Sequence, residues 1–157
     1  MQGKVELAIV TLAPVSERSV VTRAVWRDPL DFMVARHHPL AQHPALDLHA
    51  LALHPAILPG LNTYTGQIVA RLFERHQLSL QVSMATNYLE TIRMMASVGL
   101  GWTVLPRSMR DETLALLQLS DTSIERTLGI VYHRGRSLSR AAGAFIEVVL
   151  AAADTVA

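Results

Sequence analysis

Cysteine is absent from the 157 residues, which excludes disulfides, thiolate nucleophiles and cysteine-ligated metals and makes the cytoplasm the economical expectation. Aromatic residues make up only 5% of the chain, too few for a surface that stacks on nucleic-acid bases. Charge of one sign is equally scarce. Fourteen Lys and Arg stand against thirteen Asp and Glu, for a formal net charge of +1, and the basic residues are scattered rather than gathered on one face. Holding a phosphate backbone needs such a face, so the chain is not expected to bind DNA by itself. No apolar stretch approaches the ~20 residues needed to span a bilayer, and the opening Met-Gln-Gly-Lys-Val-Glu has no long apolar run behind a basic start. Neither a membrane span nor an export signal is therefore expected. Half of the residues are hydrophobic and 17% are charged. That composition suits one globular domain, or two small lobes, with enough apolar material for a core.

The stretch Asn87–Pro106 organises the rest. Leu89, Ile92, Met95, Ala96 and Gly99 recur at steps of three and four residues, which places them on one helical face. Asn87 is the expected N-cap, and Glu90, three residues on, is expected to reach back to the cap amide as in a capping box. Gly99 is expected to close the helix in the left-handed conformation. Trp102–Leu105 then reads as a strand stopped by Pro106.

Upstream, Val5–Val10 reads as a buried strand, Pro14–Arg18 as a polar turn, and Ser19–Arg27 as a half-exposed strand with Val21, Arg23, Val25 and Arg27 on one face. Asp28-Pro29 marks a turn, and Leu30–Ala35 a further strand that leads into Arg36-His37-His38-Pro39-Leu40-Ala41. Leu46–Leu53 is expected to be a short helix with Asp47 near its start, ended by His54-Pro55. Ala56–Leu58 reads as a brief strand, Pro59–Thr63 as a turn, Tyr64–Gln77 as an amphipathic helix and Leu80–Ala85 as a strand. Strand, helix, strand, helix and strand thus alternate from Ala56 to Leu105, which implies a parallel sheet covered by helices. Ligands of such sheets sit at the carboxyl ends of strands, where Leu58, Pro59, Gly60 and Thr86, Asn87, Tyr88 fall. Both groups have a plainer reading as well, the first as a turn and the second as helix capping. Arg107–Glu112 is a polar or single helical turn, Leu114–Leu119 an apolar edge segment and Arg126–His133 a strand. Ser137–Val156 is a helix expected to turn Ala141, Phe145, Val148, Val149 and Ala152 inward.

Catalytic motifs are missing. The chain has no Gly-x-Ser-x-Gly elbow, no His-Glu-x-x-His and no phosphate loop, and Gly99-Leu100-Gly101 follows a helix where a dinucleotide fingerprint must precede one. Five histidines fall at 37, 38, 43, 49 and 54, but no pair has ligand spacing on a predicted helix, so they read as polar surface loop. No catalytic residue, metal or cofactor is expected, and the chain is not expected to be an enzyme.

Three landmarks in order, Val5-Glu6-Leu7-Ala8-Ile9, His38-Pro39-Leu40-Ala41 and Gly99-Leu100-Gly101 followed by Leu105-Pro106, span nearly the whole chain and resemble the effector-binding domain of LysR-type transcriptional regulators. Glu6 stands where that family usually has Asp. The resemblance implies an α/β, two-lobed, periplasmic-binding-protein-like (type II) domain with parallel-rich sheets. Lobe I would comprise residues 1–35 and 128–157, lacking its leading strand and helix, and lobe II residues 36–127. It further implies a small anionic effector held between the lobes at Ala35, Arg36, Leu58, Pro59, Gly60, Thr86, Asn87 and Tyr88. Arg36 is expected to pair with the anion, and the unsatisfied amides opening the Asn87 helix suit a carboxylate, phosphate or sulfate. Homo-oligomers, dimeric and tetrameric in the full-length protein, and DNA contact through a separate winged helix-turn-helix domain complete the implied picture. A solute-binding component of a transport system shares the two-lobed plan and is the alternative.

Overall fold

The computed structural model describes residues 5–13, 17–43, 45–120 and 122–156, with side chains as far as Ala153. Pro14, Val15 and Ser16 of the expected polar turn lie outside the described residues. The chain divides into two compact units, residues 1–28 with 126–157 and residues 29–125.

In the first unit β1 (Leu7–Thr11) pairs antiparallel with β7 (Ile124–His133), Ile9 lying opposite Ile130. The expectation of a buried first strand fails. Ile9 and Val10 are 39% and 40% exposed, because β1 ends the strand order, with β7 its one neighbour among the described residues. The first half of β2 (Val20–Ala35) continues the sheet, and α4 (Arg140–Val156) covers one face. Ile130, Ile146 and Val149 form the core of this unit, with Leu7, Val25, Trp26 and Tyr132 packed against it.

The inward face of α4 is corrected by one residue. Ala142, Ile146 and Val149 are buried, while Phe145 and Val148 are 46% and 67% exposed and Ala141 and Ala152 face outward. The helix is apolar nearly all round, so two adjacent stripes satisfy the same spacing. The start of the helix selects between them. The Ser139 N–H and hydroxyl donate to the Glu6 carboxylate at 2.9 and 2.8 Å, and the Ser139 hydroxyl accepts from the Ala142 N–H at 3.2 Å. Those bonds from Ser139 hold the Glu6 carboxyl below the ordinary carboxylate range.

β2 runs without a break through Asp28-Pro29, where a turn was expected. Asp28 is caught by Arg126 of β7, Nε to Oδ2 at 2.6 Å, with both side chains largely buried. Proline is tolerated in a strand where no ladder bond needs its missing N–H.

The second unit is built on β3 (Ala56–Leu58), β4 (Val82–Ala85) and β5 (Trp102–Pro106), with β3 parallel to both neighbours. The second half of β2 pairs antiparallel with β5 and with β6 (Leu114–Leu116). The α/β fold therefore carries a mixed sheet, parallel at β3, β4 and β5 and antiparallel where β2 meets β5 and β6 and where β1 meets β7. Every residue of β3 and β5 is buried, as expected of strands covered on both faces. Trp102 lies on one face, stacked on Phe73 of α2 (Tyr64–Arg75) at 5.6 Å between ring centroids. Its indole N–H is shared by the carbonyls of Leu51 in α1 (Leu48–Ala52) and of His54, at 2.9 and 3.1 Å. On the other face Ile57, Leu105 and Met33 pack under Ile92, Met95 and Ala96 of α3 (Leu89–Ser97).

Helix starts follow local chemistry. Asp47 Oδ1 accepts from the Ala50 N–H at 2.8 Å, and Thr63 Oγ1 from the Gly66 N–H at 3.1 Å. Gly99 closes α3 at φ +90°, as expected.

The histidines are not all surface loop. His38 is buried, its Nδ1 accepts from the Leu40 N–H at 3.2 Å, and its ring meets that of His54 at 5.2 Å. Burial, with help from His54 and His37, pushes the His38 pKa below the ordinary value. Periodicity could not reveal this, because the burial comes from packing around a short 3₁₀ turn at Pro39–Gln42.

Candidate functional site

At the carboxyl ends of β3 and β4 the two following loops are bonded together. Leu58 lies opposite Ala85, and the Thr86 N–H donates to the Leu58 carbonyl at 3.2 Å. One step further, the Gly60 N–H donates to Asn87 Oδ1 at 3.1 Å. The Gly60 carbonyl is held from the other side, accepting from the Thr63 N–H at 2.8 Å and the Thr63 hydroxyl at 2.6 Å. A Cβ on Gly60 would stand 2.6 Å from Asn62 Oδ1 and 3.3 Å from Asn87 Oδ1. Glycine is what lets these two amide side chains close on the turn.

Asn87 is not the N-cap of α3. Tyr88 takes that position, with φ −90° and ψ 102°, and no side chain caps the helix. The expected capping box also fails, because Glu90 pairs with Arg93, Nε to Oε2 at 2.8 Å. The cause is tertiary. Asn87 finds its donor in the neighbouring loop, at Gly60, and spacing within the helix cannot register a partner 27 residues away. The first-turn amides of α3 are thus left without a side-chain partner, in a segment where Asn87 is exposed and Tyr88 is 76% exposed. This end of the helix is open, with the positive end of its dipole toward solvent.

The charges nearby are internally paired. Arg93 bonds both Glu90 and Asp111, and these bonds raise its pKa, Glu90 contributing most. The Thr113 hydroxyl and N–H, followed by Arg93, hold the Asp111 carboxyl below the ordinary range. Arg107 grips Asp31 with two bonds of 3.0 and 3.1 Å. A hollow of about 530 Å³ lies around α1 between His43, Asp47, His54 and Ser120, and a smaller one of about 120 Å³ beside Asp31 and Arg107. Neither is lined by Thr86, Asn87 or Tyr88. Among the described residues no group of three or more His, Asp or Glu side chains converges on a metal position.

The eight residues singled out from sequence do not gather at one place. Gly60, Thr86, Asn87 and Tyr88 do. Leu58 is fully buried and Pro59 is buried, so these two form the floor beneath the loop. Ala35 and Arg36 lie elsewhere. Met33 is level with Thr103, and Thr103 with Ile57, but β2 runs antiparallel to β5 and β3. Three residues from that level, β2 has reached Arg36 while β3 has run the opposite way to Gly60, a separation of about 20 Å along the strands. Ala35 is fully buried, and exposed Arg36 sits at the end of the sheet where His37 lies against Gly99. The same register brings Leu30 and Pro106 level with Gly60, which sequence reasoning missed because strand direction is not written in apolar periodicity.

The model of the LysR substrate binding domain matches residues 1–154. Among relatives, the RuBisCO operon transcriptional regulator of Acidithiobacillus ferrooxidans is 29% identical over 144 residues, 88% of this chain and 47% of that protein. The HTH-type transcriptional activator CmpR of Synechocystis is 26% identical over 91% of this chain and 49% of its own length. The chain therefore spans about half the length of these relatives. Among solved structures, the effector-binding domain of QuiR in complex with shikimate aligns with a TM-score of 0.84 at 19% identity, covering 96% of this chain and 72% of that one. The Synechocystis CcmR regulatory domain in complex with 2-PG aligns with a TM-score of 0.82 at 24% identity, covering 96% and 74%. Those two likenesses speak for the fold, and the family match over nearly the whole sequence speaks for descent: the chain belongs to the LysR substrate-binding-domain family, the effector-binding part of LysR-type transcription regulators.

Proposed function

We propose that this chain senses a small anionic metabolite at the loops that close β3 and β4, and that the bound metabolite controls DNA binding by a winged helix-turn-helix domain outside these 157 residues. The observation that carries the reading is the opening of α3, whose first amides lack a side-chain cap beside the exposed Asn87 and Tyr88. A carboxylate, phosphate or sulfate is the natural partner of such amides. Solved relatives that hold shikimate and 2-PG support a small-molecule effector. The two compact units are read as the two lobes of the domain, and an effector acts by binding one arrangement of such a domain better than another. The relatives are transcription regulators, which supports a sensor in the cytoplasm that works as a homo-oligomer and performs no catalysis. They lend no support to a transport component.

A thermal-shift screen of small carboxylates, phosphates and sulfates tests the reading, followed by amide chemical shifts of the chain with each hit. Shifts centred on Gly60 and on residues 86–90, unaffected by Arg36→Ala, are expected. Shifts confined to residues 35–38 would move the site to the other end of the sheet and overturn the assignment.

A further inference from the structure

We propose that the open edge of β1 is a dimerisation surface whose occupant is the same edge of a second copy of this chain, paired antiparallel about Ile9. This goes beyond the effector reading and needs no ligand. β1 ends the strand order, and among the described residues only β7 lies beside it. The Leu12 N–H donates to the Thr127 carbonyl at 2.8 Å, continuing the register in which Thr11 faces Leu128. Bonded and unbonded pairs alternate along an antiparallel ladder. Ala8 and Val10 therefore direct their backbone groups at β7, while Leu7, Ile9 and Thr11 each aim an N–H and a C=O at the open side.

The side chains on that edge are apolar and short of cover. Leu7 packs with Ile146 and Val149 of α4, and strand alternation puts Ile9 on the same face. Yet Ile9 is 39% exposed, whereas Ile130, directly opposite on β7, is fully buried. The cover that α4 gives β7 stops short of the β1 edge. The helix starts beside Glu6 and runs along β1, so its right-handed turn brings the exposed flank of Ala141, Phe145, Val148 and Ala152 toward the open side, while Leu150 on the other flank packs into the core. From Leu7 to Thr11 the edge has no charge, no proline and no bulge, the devices that ordinarily keep such edges apart. It also complements itself. Turned about Ile9, a second copy sets Leu7 against Thr11 and Ile9 against Ile9, so every open N–H meets an open C=O, and Glu6 faces Leu12 instead of another acid. A neutral, self-matching edge fits a second copy better than a charged partner strand, and a two-fold contact of this kind closes at a dimer.

The test is sedimentation velocity on the 157-residue chain across a wide range of concentration, for wild type and Ile9→Lys, with disulfide trapping of Ile9→Cys and Val10→Cys. Wild type should pass from monomer to dimer as concentration rises. Ile9→Lys sets two like charges face to face and should weaken the dimer at least about tenfold, with an unchanged melting curve showing the fold intact. The chain has no cysteine of its own. Ile9→Cys should therefore give one interchain disulfide under mild oxidation, since the Cα atoms of a bonded pair lie about 5.5 Å apart. Val10→Cys should not, because its counterpart lies on the diagonal, about 7–8 Å away. A chain that stays monomeric at every concentration, an Ile9→Lys chain that dimerises as well as wild type, or a Val10→Cys chain that crosslinks as readily as Ile9→Cys would each overturn the proposal. Leu7 and Ile9 amides protected from hydrogen exchange in the dilute monomer would do so too, by showing the edge already covered within the chain. None of these results bears on the loops at Gly60 and Asn87, so the effector reading stands or falls by its own screen.

Discussion

Thr103 gives the sharpest check on the packing of the second unit. It lies in β5 between Met33 and Ile57, is fully buried, and its hydroxyl has no hydrogen-bond partner, alone in this among buried side-chain polar atoms of the described residues. Strand alternation puts it on the side of Leu105, which packs with Met33, Ile57 and Ile92 under α3. A buried hydroxyl left unpaired costs about 1–3 kcal/mol. Valine has the same shape without the polar atom, so Thr103→Val should raise stability by about 1 kcal/mol. For a domain of this size that is a rise of about 2–4 °C in Tm. Thr103→Ser keeps the hydroxyl and removes a buried methyl, and should lose about 1 kcal/mol. Urea unfolding followed by far-UV circular dichroism measures both. A Thr103→Val chain less stable than wild type, beside an unchanged Thr103→Ser, would show that the hydroxyl is satisfied and that the packing described for β5 is wrong.

Three further outcomes are expected. His38 has a folded-state pKa below its ordinary 6.5, chiefly through burial, so the unfolded chain takes up a proton that the folded chain resists. Stability should be level above pH 6.5 and fall as the pH drops below it. His38→Asn keeps an acceptor for the Leu40 N–H and should flatten that fall in urea titrations run at several pH values. Gly66→Ala would set a methyl 2.3 Å from the Gly60 carbonyl oxygen, and should cost about 1–3 kcal/mol by overpacking, read as a lower urea midpoint. Arg126→Met strands the largely buried Asp28 carboxylate and should cost about 2 kcal/mol, most of it recovered when Asp28→Asn is added in a double-mutant cycle.

What the sequence made legible was local. Strands β3 and β5 and helices α2 and α3 fall within a residue or two of expectation, because Pro59-Gly60, Thr63, Gly99 and Pro106 mark their ends and apolar spacing fills their middles. The meeting of Gly60 with Thr86, Asn87 and Tyr88 was also foreseeable, since loops after adjacent parallel strands emerge on one side. The misses share a cause. The stripe that α4 buries depends on a bond between Glu6 and Ser139, 133 residues apart. The use of Asn87 depends on Gly60, 27 residues away. The position of Arg36 depends on β2 running against β5. Each is decided by a partner that no window of the sequence contains.

The distribution of tryptophan has a practical consequence. The chain has two, and they fall in different units: Trp102 sealed in the second, Trp26 half-buried in the first. Fluorescence therefore comes from two native reporters with distinct surroundings, a blue-shifted emitter and a more solvent-touched one. Phenylalanine at either position leaves a single-emitter protein, and comparing the two melts asks whether the two units unfold together or in turn.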